Sequence, residues 1–296
     1  QIISNNERIL VFTTTENIRY LSRALYWIMD GTFQTVPTIF YQLYTIYAPV
    51  ESADNFKIFP LVNSLMTNKT AEQYKLLFEI LINFAEENGI ELAPTRIITD
   101  FESAVINMSR YMFPGVINKS CFFHLSQNGW RRIQKYGLAG QYGCDECFSI
   151  KIRCLFALAF LPAQEIPEAF EFLKPLIPSK AKQLVKWFEE TYVLGKVRSE
   201  IESDYIIRSA PLFSPQLWSV HDSVDTGVPR TQNVVEEMQK EQQNIEAQIE
   251  RIIRGEQVKQ KKRLAKKEKR ITTIVNNQNN LSLIEFLTRI AHNLSI

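Results

Sequence analysis

Two aspartates stand where the sequence pattern predicts that a strand ends. Asp100 follows the β-branched run at 97–99, and a helical pattern begins directly after it. Upstream, the apolar run at 25–29 closes on Asp30 and is followed by a glycine. We therefore expect two carboxylates at strand tips, at the edge of one sheet.

Carboxylates placed in this way predict a divalent metal site. Acids that converge on one point repel each other, and their pKa values rise unless a cation neutralises them. Hard oxygen ligands select Mg²⁺ or Mn²⁺, and two such ions about 3.5–4 Å apart stabilise the attacking and leaving oxygens of an in-line phosphoryl transfer. A single aspartate after a strand is more often a turn or N-cap residue. Two of them, with an acid on a later helix, favour the metal site.

The elements that would position these acids follow from hydrophobic periodicity. The runs at 39–50 and 58–66 are rich in aromatic and β-branched residues, and the short loops beside them favour antiparallel neighbours. Thr70 and Gln73 form a capping box at the start of a helical pattern. Further elements are a short candidate strand at 9–12, a strand at 96–99, a helix at 101–112 and a strand at 116–125. The order β-β-β-α-β-α-β predicts an α/β domain with a mixed five-stranded sheet and flanking helices.

Downstream of the sheet the pattern changes to helices. Between 150 and 218, apolar residues fall at helical spacing among several prolines, which predicts an all-helical insertion. A long helix is predicted at 234–254. The predicted domains are the first part of the core at 1–149, the helical insertion at 150–218, the closing helix of the core at 219–258, and a basic and polar C-terminal tail at 259–296.

Composition limits the class of protein. The chain has 296 residues, 45% of them apolar, which is enough to bury a sizeable core. The longest apolar run has eight residues, at 154–161, against about 20 for a membrane span, so we expect no membrane segment. Four cysteines do not make a disulfide framework in a chain of this length, which indicates a reducing compartment.

Basic residues cluster in two places. Residues 259–270 carry eight Lys or Arg and one Glu, a local charge of +7, so the net charge of +2 leaves −5 for the rest of the chain. This run would contact DNA or act as a nuclear localisation signal, although a solvated tail is the default interpretation. Trp130, Arg131, Arg132 and Lys135 mix base-stacking and phosphate-binding side chains, as a DNA groove requires. The alternative for these four is a solvated helix face with one anchoring tryptophan.

The cysteines allow a second metal. Cys121 and His124 have the Cys-x2-His spacing of metal ligands, and Cys144 and Cys147 follow within about twenty residues. A closed Cys₃His zinc site would use all four. Buried cysteines that behave as small apolar residues are the commoner case. Both interpretations stay open at this point.

Taken together, several motifs resemble the catalytic domain of Mutator-like element (MULE) transposases. They are Asp30-Gly31-Thr32-Phe33, the strand at 40–46, Thr99-Asp100-Phe101-Glu102, Cys121-Phe122-Phe123-His124, and the stretches at 130–134, 137–138 and 158–162. The resemblance runs from about residue 8 to about residue 233. It implies a ribonuclease H-like fold, an Asp-Asp-Glu (DDE) triad that holds divalent metal, and DNA strand cleavage and transfer. Asp30 and Asp100 match the two aspartates of the triad, and Cys121 and His124 match the Cys-x2-His of the family.

The resemblance also gives a candidate for the third acid. Thr231-Gln232-Asn233 precedes Glu236 at the offset of the family pattern, so Glu236 is the candidate third ligand of Mg²⁺ or Mn²⁺. The residues after Glu236 depart from the Trp-His that commonly follows in the family. The alternative is that Glu236 is not the third acid, because the segment that carries the family's third acid is missing from this chain.

These observations predict a DDE-type DNA transposase core that cleaves phosphodiesters at transposon ends and acts on DNA in the nucleus. The alternative is a transposase-derived DNA-binding or scaffold protein that has lost catalysis because the region of the third acid is degraded. Met238, Ile245 and Ile252 keep heptad spacing, which suggests a homo-oligomer through the helix at 234–254. No small-molecule cofactor is expected.

Overall fold

The computed structural model describes residues 2–4, 7–33, 36–52, 55–201, 205–226 and 262–294. These residues fall into two compact units. The first contains the described residues up to Cys121, and the second begins at Phe122 and includes 262–294. The predicted helix at 234–254, with Glu236, lies outside the described residues.

The first unit is a mixed sheet with three helices among its described residues. Its strands are β1 (Ile2–Ser4), β2 (Glu7–Phe12), β3 (Tyr26–Thr32), β4 (Gln42–Ser52), β5 (Asn55–Met66), β6 (Arg96–Thr99) and β7 (Ile117–Ser120), and its helices are α1 (Thr15–Arg23), α2 (Ala71–Glu87) and α3 (Ser103–Met112). The strand order is β1-β2-β5-β4-β3-β6-β7. Strands β3, β6 and β7 are parallel neighbours, and the other pairs are antiparallel. The predicted α/β class, with a mixed sheet and flanking helices, is confirmed.

The number of strands differs from the prediction. Seven strands are present among the described residues, whereas five were expected. The five expected strands form the contiguous part β5-β4-β3-β6-β7, and β2 extends the sheet beside β5 through the pairs from Ile9↔Met66 to Phe12↔Asn63. Strand β1 has only three residues, too few for a periodic pattern, and it is identified by its pairing with β2.

Helix α2 packs an apolar stripe against the sheet. Thr70 accepts a hydrogen bond from the backbone N–H of Gln73 at 3.3 Å, so the predicted capping residue does begin the helix. After the helix the chain turns at Gly89, whose φ of 67° favours glycine. The buried residues of the helix include Tyr74, Leu77, Phe78 and Leu81, which share a core with Trp27, Met29, Ile46 and Val62 of the sheet. Each such side chain contributes about 1.5–3 kcal/mol by leaving water.

The second unit is mainly helical. Its elements are α4 (Phe122–Lys135), α5 (Ala139–Cys144), α6 (Glu146–Ala157), α7 (Ile166–Leu173), α8 (Lys182–Phe188), β8 (Val197–Ile201), β9 (Tyr205–Arg208), α9 (Pro215–Trp218), α10 (His221–Thr226), α11 (Lys262–Asn276) and α12 (Leu283–Asn293). Strands β8 and β9 form an antiparallel hairpin, so the insertion is not all-helical. Their sequences are rich in β-branched residues, which explains the hairpin. None of the described helices is long and apolar enough to cross a membrane.

Two boundaries in the second unit differ from those predicted. The helical unit begins at Phe122 rather than at 150, because α4 packs on α6 with Gly129 against the Phe156 ring. The region predicted as a polar tail contains two helices of this unit. Helix α12 begins with a capping box at Ser282 and buries a set of apolar side chains that comprises Phe286, Leu287, Ile290 and Ala291. This amphipathic helix therefore belongs to a core and is not a solvated tail.

Candidate active site

The two predicted aspartates lie on neighbouring parallel strands. The register of β3 and β6 pairs Ile28 with Ile98. Continued by two residues, this register sets Asp30 and Asp100 at the same level of the sheet, as the strand-end pattern predicted. Asp30 is not at the tip of its strand, because β3 continues to Thr32 by pairing with β4. Its side chain is buried.

Asp100 follows the last residue of β6 in a loop whose backbone is held by hydroxyl groups. The Thr99 hydroxyl donates to the Asp100 carbonyl at 2.9 Å, and the Ser120 hydroxyl does so at 3.5 Å. Burial, followed by the charges of Glu102 and Asp30, raises the pKa of Asp100 from its ordinary value of 3.8 to about 7. The carboxylate is therefore in an environment that favours a proton or a cation beside it.

Glu102 is the acidic neighbour that the sequence analysis quoted in a motif without giving it a role. It occupies the N-cap position of α3, but its side chain makes no capping hydrogen bond. Its carboxylate instead lies 3.7 Å from the ammonium group of Lys69 and hydrogen-bonds with the Tyr74 hydroxyl. Burial raises the pKa of Glu102, while Lys69 and Tyr74 oppose that shift. The spacing of two residues after Asp100 was the signal that could have identified it.

A buried polar cluster lies beside the three acids. The Gln42 side-chain amide donates to the Tyr74 hydroxyl at 3.2 Å. The rings of Tyr44 and Tyr74 meet edge to face at 5.0 Å, and the buried Tyr44 hydroxyl has no hydrogen-bond partner among the described residues. Burial raises the pKa of Tyr44, and the charges of Tyr74 and the three acids add to this shift. A Cβ at Gly31 would lie 2.8 Å from the Gln42 Oε1 atom and 3.3 Å from the Tyr44 ring, so glycine leaves room for these two side chains.

The donor set of this site fits a divalent cation. Carboxylate oxygens are the ligands that Mg²⁺ and Mn²⁺ prefer, and the pKa of Asp100 is raised first by burial and then by the charges of Glu102 and Asp30. Within the part of the chain that the structure describes, no three His, Cys, Asp or Glu side chains are grouped closely enough to hold a metal ion. The described residues therefore offer Asp30 and Asp100 as a pair with Glu102 nearby. The predicted third ligand, Glu236, lies outside the described ranges.

The residues of the zinc hypothesis have different environments. Cys121 is buried at the end of the first unit, whereas Cys144 and Cys147 are exposed in the second. Nδ1 of His124 is buried without a hydrogen-bond partner among the described residues. Burial, with a smaller contribution from Arg131, lowers the pKa of His124 to about 4. The histidine is therefore neutral at pH 7, and the described residues do not assemble the Cys₃His set.

The four candidate DNA-binding residues on α4 divide into two pairs. The Trp130 ring meets Tyr142 edge to face at 5.6 Å, and the Arg132 guanidinium lies 5.1 Å from the Trp187 ring. Both side chains thus pack within the second unit. Arg131 and Lys135 are exposed and lie one helical turn apart. These two cations are the members of the set that face solvent.

The fold and the site together define a class of protein. A mixed sheet with this strand order, two acids at one level on its parallel strands and helices beside it is compatible with a ribonuclease H-like α/β fold. Residues 26–128 match the family described as the MULE transposase domain. This match confirms the resemblance over a range that includes Asp30, Asp100 and Glu102, and it is shorter than the range inferred from the motifs. No curated protein and no solved structure matches the chain.

Proposed function

We propose that the chain is the core of a DDE-type DNA transposase, which cleaves phosphodiester bonds at transposon ends with Mg²⁺ or Mn²⁺ and transfers the strand. The observation that supports this function is the placement of Asp30 and Asp100 at one level of β3 and β6, within the stretch that matches the MULE transposase domain. The raised pKa of Asp100 is consistent with a site that receives a cation.

The roles of the residues follow from their contacts. A divalent cation at this site would polarise the scissile phosphate and activate the attacking oxygen. Asp30 and Asp100 would hold it through their carboxylate oxygens. Lys69 and Tyr74 fix the Glu102 carboxylate, whose negative charge increases the attraction of Asp100 for a cation. Glu236 is proposed as the third ligand of the triad.

DNA is the proposed partner, and the exposed Arg131 and Lys135 are proposed as phosphate contacts. The basic run at 259–270 supports a nuclear location and further non-specific DNA contact. Self-association through the segment at 234–254, which the sequence predicts to be a helix, is proposed from its heptad spacing.

The direct experiment is nicking of supercoiled DNA by the purified chain with Mn²⁺ or Mg²⁺. We expect Asp30→Asn and Asp100→Asn each to reduce metal-dependent nicking by at least about 100-fold, because each removes a ligand charge while keeping the size of the side chain. Glu79→Gln is the control, since this partly exposed acid of α2 pairs with Lys75 on the surface. Full activity in either aspartate variant would exclude this site.

A transposase-derived DNA-binding or scaffold protein without catalysis is the second candidate. It is favoured by the residues after Glu236, which depart from the Trp-His that commonly follows in the family. Calorimetric titration of Mn²⁺ into Glu236→Gln and Glu102→Gln separates the two candidates. If Glu236 completes the triad, its substitution weakens Mn²⁺ binding and abolishes nicking with little change in stability. If Glu236→Gln leaves the affinity for Mn²⁺ unchanged and the wild-type chain does not nick DNA, the chain is a DNA-binding or scaffold protein without catalysis.

A further inference from the structure

Two exposed aromatic rings lie at the end of the hairpin that carries Asp30. Phe33 directly follows β3 and Tyr41 directly precedes β4, and the two strands pair up to Thr32↔Leu43. The rings of Phe33 and Tyr41 meet at 5.3 Å with their planes at 66°. Phe33 is three residues beyond Asp30, which is about 10 Å along a strand. At about 3.4 Å per nucleotide along one strand of duplex DNA, this separation is about three nucleotides.

Both rings keep about half of their surface in contact with solvent. Phe33 and Tyr41 are each 49% exposed, and Ile39 in the same loop is 61% exposed. Single apolar side chains on a surface are common and require no explanation. This case differs because two aromatic rings touch each other and also lie beside a charged group that contacts one of the acids.

That charged group is the ammonium of Lys69. It lies 5.5 Å from the centre of the Phe33 ring and 3.7 Å from a Glu102 carboxylate oxygen. The Lys69 side chain is 44% exposed, and an ammonium group has three donors, so it can also bind an anion in solution. Lys69 therefore connects the aromatic pair to the acid cluster and adds positive charge between them.

We propose that Phe33 and Tyr41 form a stacking site for an unpaired nucleobase of the DNA strand, with Lys69 beside its phosphate. This inference rests on the proposed function, because the base belongs to the DNA strand that the proposed active site cleaves. An exposed aromatic ring beside a cation complements a base and its phosphate. A base in duplex DNA has both faces covered by its neighbours, so the site selects a single strand or a base that has left the stack.

The experiment measures binding without divalent metal, so that it is independent of cleavage. Fluorescence anisotropy would compare a labelled oligothymidylate with a duplex of the same length, using the full chain. We expect the double substitution Phe33→Leu with Tyr41→Leu to weaken binding of the single strand by about tenfold or more and to change duplex binding less than twofold. Leucine keeps the apolar character of the loop and removes the rings. A thermal melt of each variant checks that the fold is retained.

Tyr111→Leu is the matched control, since this tyrosine of α3 is 66% exposed in the same unit. It should leave the affinity for both DNA forms unchanged. An unaltered affinity for the single strand in the double variant, or an equal loss on single strand and duplex, would overturn the stacking site. The nicking assay with Asp100→Asn tests the proposed function separately, because it reports on the acids and not on the rings.

Discussion

At the scale of the residue, local sequence identified Asp30 and Asp100, because each closes a short apolar run and the two runs become adjacent strands. Glu102 was not assigned a role, since its environment is made by Lys69 and Tyr74, which lie about thirty residues earlier and reach it only after folding. The raised pKa of Asp100 has the same origin, because burial and neighbouring charges do not exist in the unfolded chain. Its consequence for stability can be measured.

We predict that Asp100→Asn stabilises the metal-free protein at pH 8 but not at pH 4. The folded pKa of about 7 exceeds the ordinary value of 3.8, so the native state holds more protons than the unfolded state between these values. Stability must then fall as the pH rises from about 4 to about 7, and asparagine removes this loss. A full shift corresponds to about 4 kcal/mol, and with structural relaxation we expect a gain of about 1–3 kcal/mol at pH 8. Urea unfolding at the two pH values measures it.

Added Mn²⁺ should raise the unfolding free energy of the wild type more than that of Asp100→Asn, because the variant has lost one of the carboxylates proposed to bind the ion. Glu16→Gln is the control, since this exposed acid pairs with Arg19 on the surface and its loss should cost less than about 1 kcal/mol at either pH. Equal stability of wild type and Asp100→Asn at pH 8 would show that Asp100 is not in a destabilising environment.

At the scale of the element, periodicity and capping were sufficient where a segment is long. Helix α2 was predicted from the Thr70 cap and its apolar stripe, and β4 and β5 from their aromatic and β-branched runs. Short or paired elements were not predictable in this way. The continuation of β3 beyond Asp30 depends on β4, and the hairpin of β8 and β9 interrupts a pattern that reads as helical. The start of the helical unit at α4 likewise depends on a close contact with α6.

That contact gives a prediction for Gly129. A methyl group at this position would overlap the Phe156 ring, which packs edge to face on Phe188 at 5.6 Å. Gly129→Ala would gain about 1 kcal/mol of helix propensity. Overpacking in a buried contact of this kind costs more than that gain, and we expect a net destabilisation of about 1–3 kcal/mol. Denaturant unfolding of the chain, followed by tryptophan fluorescence, measures the change.

Gly140→Ala in α5 is the matched control, because a methyl group there would meet nothing within 4 Å. This variant should be as stable as the wild type or up to about 1 kcal/mol more stable. If Gly129→Ala behaves in the same way, α4 and α6 are not in close contact and the helical unit does not begin at Phe122.

At the scale of the whole molecule, the composition of the C-terminal region did not predict that this region packs into a folded unit. The charge of the run at 259–270 suggested a solvated tail, yet Ile271 and Val275 of α11 are buried and Lys269 and Arg270 beside them are exposed. An Arg153 guanidinium nitrogen donates to the Leu294 carbonyl at 3.1 Å and connects the end of the described chain to α6. Charge and packing are thus combined in one region, and a deletion would remove both.

We therefore predict opposite results for two sets of substitutions in this region. Leu287→Ala, at a fully buried site of α12, should lower the unfolding free energy by about 2–5 kcal/mol and leave the salt dependence of DNA binding unchanged. Replacing Lys259, Lys261, Lys269 and Arg270 with glutamine should leave stability within about 0.5 kcal/mol and weaken non-specific DNA binding. Each lost phosphate contact reduces the slope of log affinity against log salt by about 0.9, so four contacts would reduce it by between about 3 and 4. An unchanged slope in the glutamine variant would mean that these cations do not contact phosphate, and the run would then retain only its proposed role in nuclear localisation.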